Sequence, residues 1–267
     1  MFEIFRFYLF IFLICHFMGD FYLQTSQMAE KKTGNYQKTL IHCILYAVPF
    51  LVMIAAGFFF FKYGPHALIR EWNWEIIISA TIFIIISHMI IDLVKCRAET
   101  KVAGENGLSP DKNKNYFIWD QLLHIGIIFI VSYGISNPIQ IIPRPWFISK
   151  DLYLGIQILL YLLILLKPTN ISFKKIFSKY QPLKIESEND VTIAGAGATI
   201  GSLERLLMGF FMIMGQFAAV GLIMTAKSIA RYDKISKDPS FAEYYLIGTL
   251  YSMLITLAAY LLIFKFG

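Results

Sequence analysis

Three of the five histidines in this sequence stand four residues from an aspartate: His16 with Asp20, His88 with Asp92, and His124 with Asp120. Four residues is a little over one helical turn, so on a helix each pair shares a face. The chain holds only eight aspartates in 267 residues, so this recurrence is well above chance. With His42 the set comprises four imidazoles and three carboxylates, donors that suit Zn²⁺, the leading expectation, or Fe²⁺ or Mn²⁺. The candidate metal ligands are therefore His16, Asp20, His42, His88, Asp92, Asp120 and His124. That is more than one tetrahedral ion needs, which leaves room for a second ion or for a catalytic carboxylate, Asp20 or Asp120, that orients a nucleophile. Lys95 and Arg97 stand close by in sequence and are candidates for holding an anionic substrate. Two other accounts fit the same pattern: a path for protons or ions, or hydrogen-bonded pairs that join helices at about 0.6 kcal/mol each. His66 has no carboxylate at this spacing and is expected to be exposed in a loop.

The elements that must position these residues are membrane-spanning helices. The sequence is 57% hydrophobic and 16% charged, with a mean hydropathy of +0.59. Ordinary soluble domains carry about a quarter charged residues. Stretches such as 76–91 and 153–166 hold almost nothing ionisable, and a bilayer core needs roughly 20 such residues per helix. Seven spans are expected near 2–23, 38–61, 74–94, 116–135, 147–167, 203–228 and 241–264. Backbone groups in lipid must pair within their own segment, so these are helices, and the alternation of a membrane β-barrel is absent. The fold class is an all-α polytopic membrane bundle: four N-terminal helices with the polar site, then further helices. The expected division is 1–167 for the bundle, 168–202 for a cytoplasmic connecting segment, and 203–267 for a C-terminal hairpin. The first span lacks a basic start and a small-residue cleavage site, so it reads as retained rather than as a secretory signal. Three cysteines, an odd number beside or within spans, argue against a disulfide framework.

Direction along the chain places the chemistry. The His-then-Asp pairs close the first and third spans, while His42 and the Asp-then-His pair open the second and fourth. Antiparallel neighbours therefore bring all seven residues to one end of the bundle. Alternating loops assign fifteen of the 24 Lys and Arg residues to that face and nine to the other. By the positive-inside rule the richer face is cytoplasmic, with the N-terminus outside and the C-terminus inside. The net charge of +6 is read the same way, as membrane topology and not as a nucleic-acid surface. A weak repeat, Ile14-Cys15-His16 with Asp20 and Ile86-Ser87-His88 with Asp92, suggests two tandem helical hairpins.

In the last spans Glu204 and Arg205 open the sixth, Lys227 and Arg231 close it, and Glu243 opens the seventh. Glu243 is expected to pair with Lys227 or Arg231, and Gly209, Gly215 and Gly221 to let helices approach closely. Gly195, Gly197 and Gly201 form a glycine pattern without the strand or lysine of a phosphate loop.

The runs His16-Phe-Met-Gly-Asp20-Phe-Tyr-Leu-Gln24, Ile200-Gly-Ser-Leu-Glu204-Arg205, Ala226-Lys-Ser-Ile-Ala-Arg231 and Ala242-Glu-Tyr-Tyr-Leu-Ile-Gly-Thr249 resemble the bacterial membrane family catalogued as domain of unknown function 3307. More loosely, the first four helices resemble inner-membrane metal-dependent hydrolases. That resemblance implies hydrolysis, whereas the family label implies no activity. The leading expectation is an inner-membrane, metal-dependent hydrolase whose partners are the bilayer and a phosphorylated lipid or other anionic substrate. The alternatives are a proton- or metal-coupled transporter and a regulatory or scaffolding subunit.

Overall fold

The computed structural model describes residues 2–24, 35–63, 74–103, 108–136, 150–182 and 195–265. His66 lies outside the described residues. Among them there is no strand, and seven helices are long and apolar enough to cross a membrane. The order is α1 (Phe2–Phe17), continued by a π-helical turn (Met18–Tyr22), then α2 (Tyr36–Tyr63), α3 (Trp74–Val102), α4 (Pro110–Ile135), α5 (Lys150–Leu165), α6 (Lys167–Ile176), α7 (Ala196–Ile213), α8 (Phe217–Ala230), α9 (Tyr232–Lys237) and α10 (Pro239–Tyr260), which ends in a second π turn (Leu261–Lys265). The chain is thus a multi-pass helical membrane protein. It divides into two compact units, Met1–Leu160 and Tyr161–Gly267.

In the first unit polarity is inverted relative to a soluble bundle. Ile82, Phe83, Ile86, Ile90 and Val94 on α3 face outward, as do Leu122, Leu123, Phe129 and Ile130 on α4. The buried stripe of α3 runs Ile77, Thr81, Ile84, His88, Asp92, Cys96, Glu99, and that of α4 runs Asp120, His124, Ile128, Ser132, Ile135. Steps of three and four keep each stripe on one face. Each stripe is ionisable toward one end and largely apolar toward the other. On the apolar side, Phe7, Tyr8, Phe12, Cys15, Tyr46, Phe50, Ile77, Ile84, Ile128 and Ile135 form one packed cluster. Cys15, Cys43 and Cys96 are buried and form no disulfide.

The close approach of α1 and α2 depends on Gly19. A Cβ built there would lie 2.8 Å from Tyr46 Cδ2, 2.9 Å from the Tyr46 carbonyl oxygen and 3.0 Å from Tyr46 Cα. Two of these are backbone atoms of a helix that cannot yield as a side-chain tip can.

The second unit corrects the expected sixth span. Residues 203–228 do not form one helix: α7 ends at Ile213 and the chain turns back. Gly215 adopts φ +74, its N–H donates to the Met212 carbonyl, and the Gln216 N–H donates to the Phe211 carbonyl. These paired bonds around a left-handed glycine are the Schellman helix stop. The following α8 folds back along α7, so that Lys227 Nζ meets Glu204 Oε2 at 2.6 Å. Glu204, and not Glu243, is therefore the carboxylate that Lys227 meets. Gly209 packs tightly against Tyr161 and Leu165, as expected, whereas a Cβ at Gly221 would meet nothing within 4 Å. Apolarity alone cannot distinguish one long span from a hairpin of two shorter helices.

The fifth span also runs on, through α6, to Ile176. Between α5 and α6, Pro168 supplies no N–H. Thr169 Oγ1 instead donates to the Ile164 carbonyl at 2.6 Å, and Arg205 Nε donates to the Leu165 carbonyl at 2.6 Å. Arg205 also donates to Asn170 Oδ1 at 2.6 Å and to the Ser252 hydroxyl at 3.3 Å. Its guanidinium thus fastens α7 to the α5–α6 break and to α10.

Gly19→Ala is expected to lower stability by about 1–3 kcal/mol through overpacking. A thermal-unfolding midpoint in detergent equal to that of the wild type would contradict this account of the contact.

Candidate metal centre

The seven sequence-selected ligands converge. His16 comes from α1, Asp20 from the π turn that follows it, His42 from α2, His88 and Asp92 from α3, and Asp120 and His124 from α4. All seven are buried, at 9% exposure or less. The π turn inserts an extra residue into the helical repeat at the point where Asp20 must reach the other helices, a common use of such turns at functional sites.

His42 Nε2 lies 3.2 Å from Asp20 Oδ1 and 3.5 Å from Asp92 Oδ2. His88 Nε2 lies 3.8 Å from Asp20 Oδ1, and His124 Nδ1 lies 4.0 Å from Asp120 Oδ1. Two donors each about 2.0–2.1 Å from one ion can stand no more than about 4.2 Å apart, so every one of these pairs is within reach of a shared ion. Three triads have ligand atoms within 4.8 Å of one another: His16, Asp20 and His88; His42, His88 and Asp92; and Asp20, Asp120 and His124.

The hydrogen bonding sharpens this picture. His16 Nε2, both ring nitrogens of His42, His88 and His124, and Asp120 Oδ1 are buried without a hydrogen-bond partner. Burying such atoms unsatisfied costs about 1–3 kcal/mol each. The short distances between them therefore bring donor atoms together without the alignment of hydrogen bonds. A cation among them would satisfy several at once.

Four residues of the surroundings escaped the search for His/Asp spacing. The Tyr46 hydroxyl hydrogen-bonds His16 Nδ1 at 3.1 Å, leaving Nε2 as the nitrogen turned to the cluster. The Tyr46 ring also stacks on His88, with centroids 3.5 Å apart and planes 16° apart. His88 stacks in turn on His124 at 4.2 Å. Tyr46 lies four residues after His42, so the same one-turn spacing applied to all residue types would have found it. Gln121 donates to Asp20 Oδ2 at 2.8 Å and to Asp120 Oδ2 at 3.3 Å. Cys96 and Glu99, buried on the α3 stripe, extend it by two turns beyond His88 and Asp92.

The two substrate candidates separate. Lys95, 22% exposed, places Nζ 3.0 Å from Asp120 Oδ2. Arg97 is exposed and, two residues on, points to a different side of α3.

Tyr46→Phe keeps the ring on His88 and deletes the bond to His16. Loss of a partner that orients a ligand typically lowers metal affinity 10–100-fold. A zinc affinity within threefold of wild type, measured by chelator competition, would remove Tyr46 from this role.

A family profile described as protein of unknown function (DUF3307) matches residues 8–148, the stretch that contains all seven residues of the cluster. No curated protein and no solved structure matches the chain. The looser likeness to metal-dependent hydrolases rests on the sequence pattern alone. The chain belongs to the family of proteins of unknown function catalogued as DUF3307.

Proposed function

We propose that this protein is a metal-dependent hydrolase of the bacterial inner membrane, with a buried His/Asp centre that binds a divalent transition ion and acts on a phosphorylated lipid or other anionic substrate. The observation that carries the reading is the convergence of four buried histidines, whose nitrogens largely lack hydrogen-bond partners, with three buried aspartates from four helices. The donor set favours zinc, with iron or manganese as alternatives.

A divalent ion bound there supplies Lewis acidity, polarising a phosphoryl or acyl group and acidifying water. The chain's own residues supply the rest. Asp120 is held through Oδ2 by Lys95 and Gln121, while Oδ1 has no hydrogen-bond partner and stands ready to accept a proton. Asp20 sits between His42 and His88 and would serve as a ligand. The Lys95 ammonium has three donors, of which one faces Asp120. Lys95 is partly exposed, and we take it as the candidate for holding an anionic headgroup.

Transport is the weaker reading because the His/Asp cluster stops partway, and of the buried charged side chains among the described residues of this unit only Arg6, near the start of α1, lies toward the other end. Between them the bundle is filled mainly by aromatic and aliphatic side chains. The hydroxyls of Thr81 and Ser132 donate to carbonyls of their own helices at 2.8 and 2.7 Å. They offer no relay to the other face.

The turn at Gly215 also changes the expected sidedness. In chain order, Lys227, Arg231, Lys234 and Lys237 return to the side where α7 begins, and Lys265 leaves it. The richer face then holds eighteen of the 24 Lys and Arg residues instead of fifteen. This supports a cytoplasmic metal site with both termini outside.

Detergent-purified protein is expected to carry stoichiometric zinc, iron or manganese, lost in a His16→Ala/His88→Ala variant together with hydrolysis of phospholipid or phosphoester substrates. Equal metal content in both proteins would defeat the proposed centre. A periplasmic-only reporter fused after residue 267 is expected to be active, whereas activity of a cytoplasmic-only reporter there would reverse the sidedness.

A further inference from the structure

The three triads of the cluster are not equivalent. In the two built on His16, His42, His88, Asp20 and Asp92, the ring nitrogens Nε2 of His16, His42 and His88 have no hydrogen-bond partner. The third, Asp20 with Asp120 and His124, is capped on its carboxylate side. Lys95 Nζ stands 3.0 Å from Asp120 Oδ2, and the Gln121 amide donates to that same oxygen and to Asp20 Oδ2. Its remaining donors, Asp120 Oδ1 and the His124 nitrogens, stay without hydrogen bonds. The position is therefore built as a cation site, yet it already has a positive charge beside it.

We propose that the Lys95 ammonium is a tethered cation standing in for a second metal ion, so that the centre holds one divalent ion and not two. The inference rests on the metal-centre reading above and specifies its stoichiometry.

Charge supports it. The three aspartates of the cluster carry three negative charges, and one divalent ion plus one ammonium match them. Glu99, farther along the α3 stripe, adds to the negative field at Lys95. A second divalent ion at Asp20, Asp120 and His124 would lie within a few ångströms of the ammonium, where like charges repel strongly in surroundings of low dielectric constant. Removing the ammonium while keeping the carboxylates should turn the capped triad into a usable ion site.

The test is zinc-to-chain stoichiometry of the full-length protein in detergent, stripped with chelator, reloaded with Zn²⁺ alone and desalted before elemental analysis. Wild type is expected to hold one zinc per chain, Lys95→Met two, and Lys95→Met/Asp120→Asn one, because the double variant removes both the ammonium and the carboxylate it guards. Two ions in wild type, or one in a monodisperse Lys95→Met protein, overturns the assignment of Lys95. The wild-type ratio stands as an independent test should Lys95→Met fail to fold. No ion in wild type overturns the metal centre itself, and is thereby told apart from failure of this inference.

Discussion

Charge inside a helix bundle whose outer surface faces lipid has few means of compensation, and the first unit is organised around that constraint. Asp20, Asp92 and Asp120 are buried where water cannot solvate them, so each must find a cation or a donor within the bundle. Asp120 finds Lys95, and Asp20 finds the Gln121 amide, with His42 Nε2 close by at 3.2 Å but not hydrogen-bonded to it. The imidazoles face the same deficit in the opposite sense, since seven of their eight ring nitrogens are buried without a hydrogen-bond partner. A divalent ion would resolve both deficits in a single step, and on that ground we favour the metal reading over helix glue. Glue would show aligned bonds between pairs; here the distances are short and the alignment is missing.

The surrounding elements serve that concentration of polar groups. Gly19 lets the π turn press against α2 at Tyr46, which brings Asp20 to His42 and places Tyr46 between His16 and His88. The apolar side of the bundle closes the centre off from the far face, and hydroxyls along the way bond to their own helices. Access is left at the rim where Lys95 and Gln121 are partly exposed. A closed base and an open rim suit a reaction at headgroup depth better than passage through the membrane.

The second unit solves a related problem with a different residue. Arg205 is buried, and its bonds to Leu165, Asn170, Ser202 and Ser252 go to neutral oxygens. Those oxygens lie on α5, α6, α7 and α10, and one of them is a carbonyl freed at the α5–α6 break. A guanidinium is suited to this because its five donors fan out in a plane and can reach several elements at once. The neighbouring Glu204–Lys227 pair joins the two arms of the hairpin.

The amino-acid sequence by itself determined the membrane class, the helical fold, and the seven-residue cluster with its placement at one end of four helices. Those properties follow from span-length apolarity and from the one-turn spacing of His and Asp, both local in the chain. Tertiary structure decided what local patterns cannot encode. The return of the chain at Gly215 depends on a single backbone conformation within an otherwise apolar run. Tyr46 and Gln121 join the centre because helix faces rotate them there, and neither has a residue type that marks it as ligand-supporting. The different fates of Lys95 and Arg97, two residues apart, were settled by which side of α3 each occupies, since a helix turns about 100° per residue and only one of the two can face Asp120.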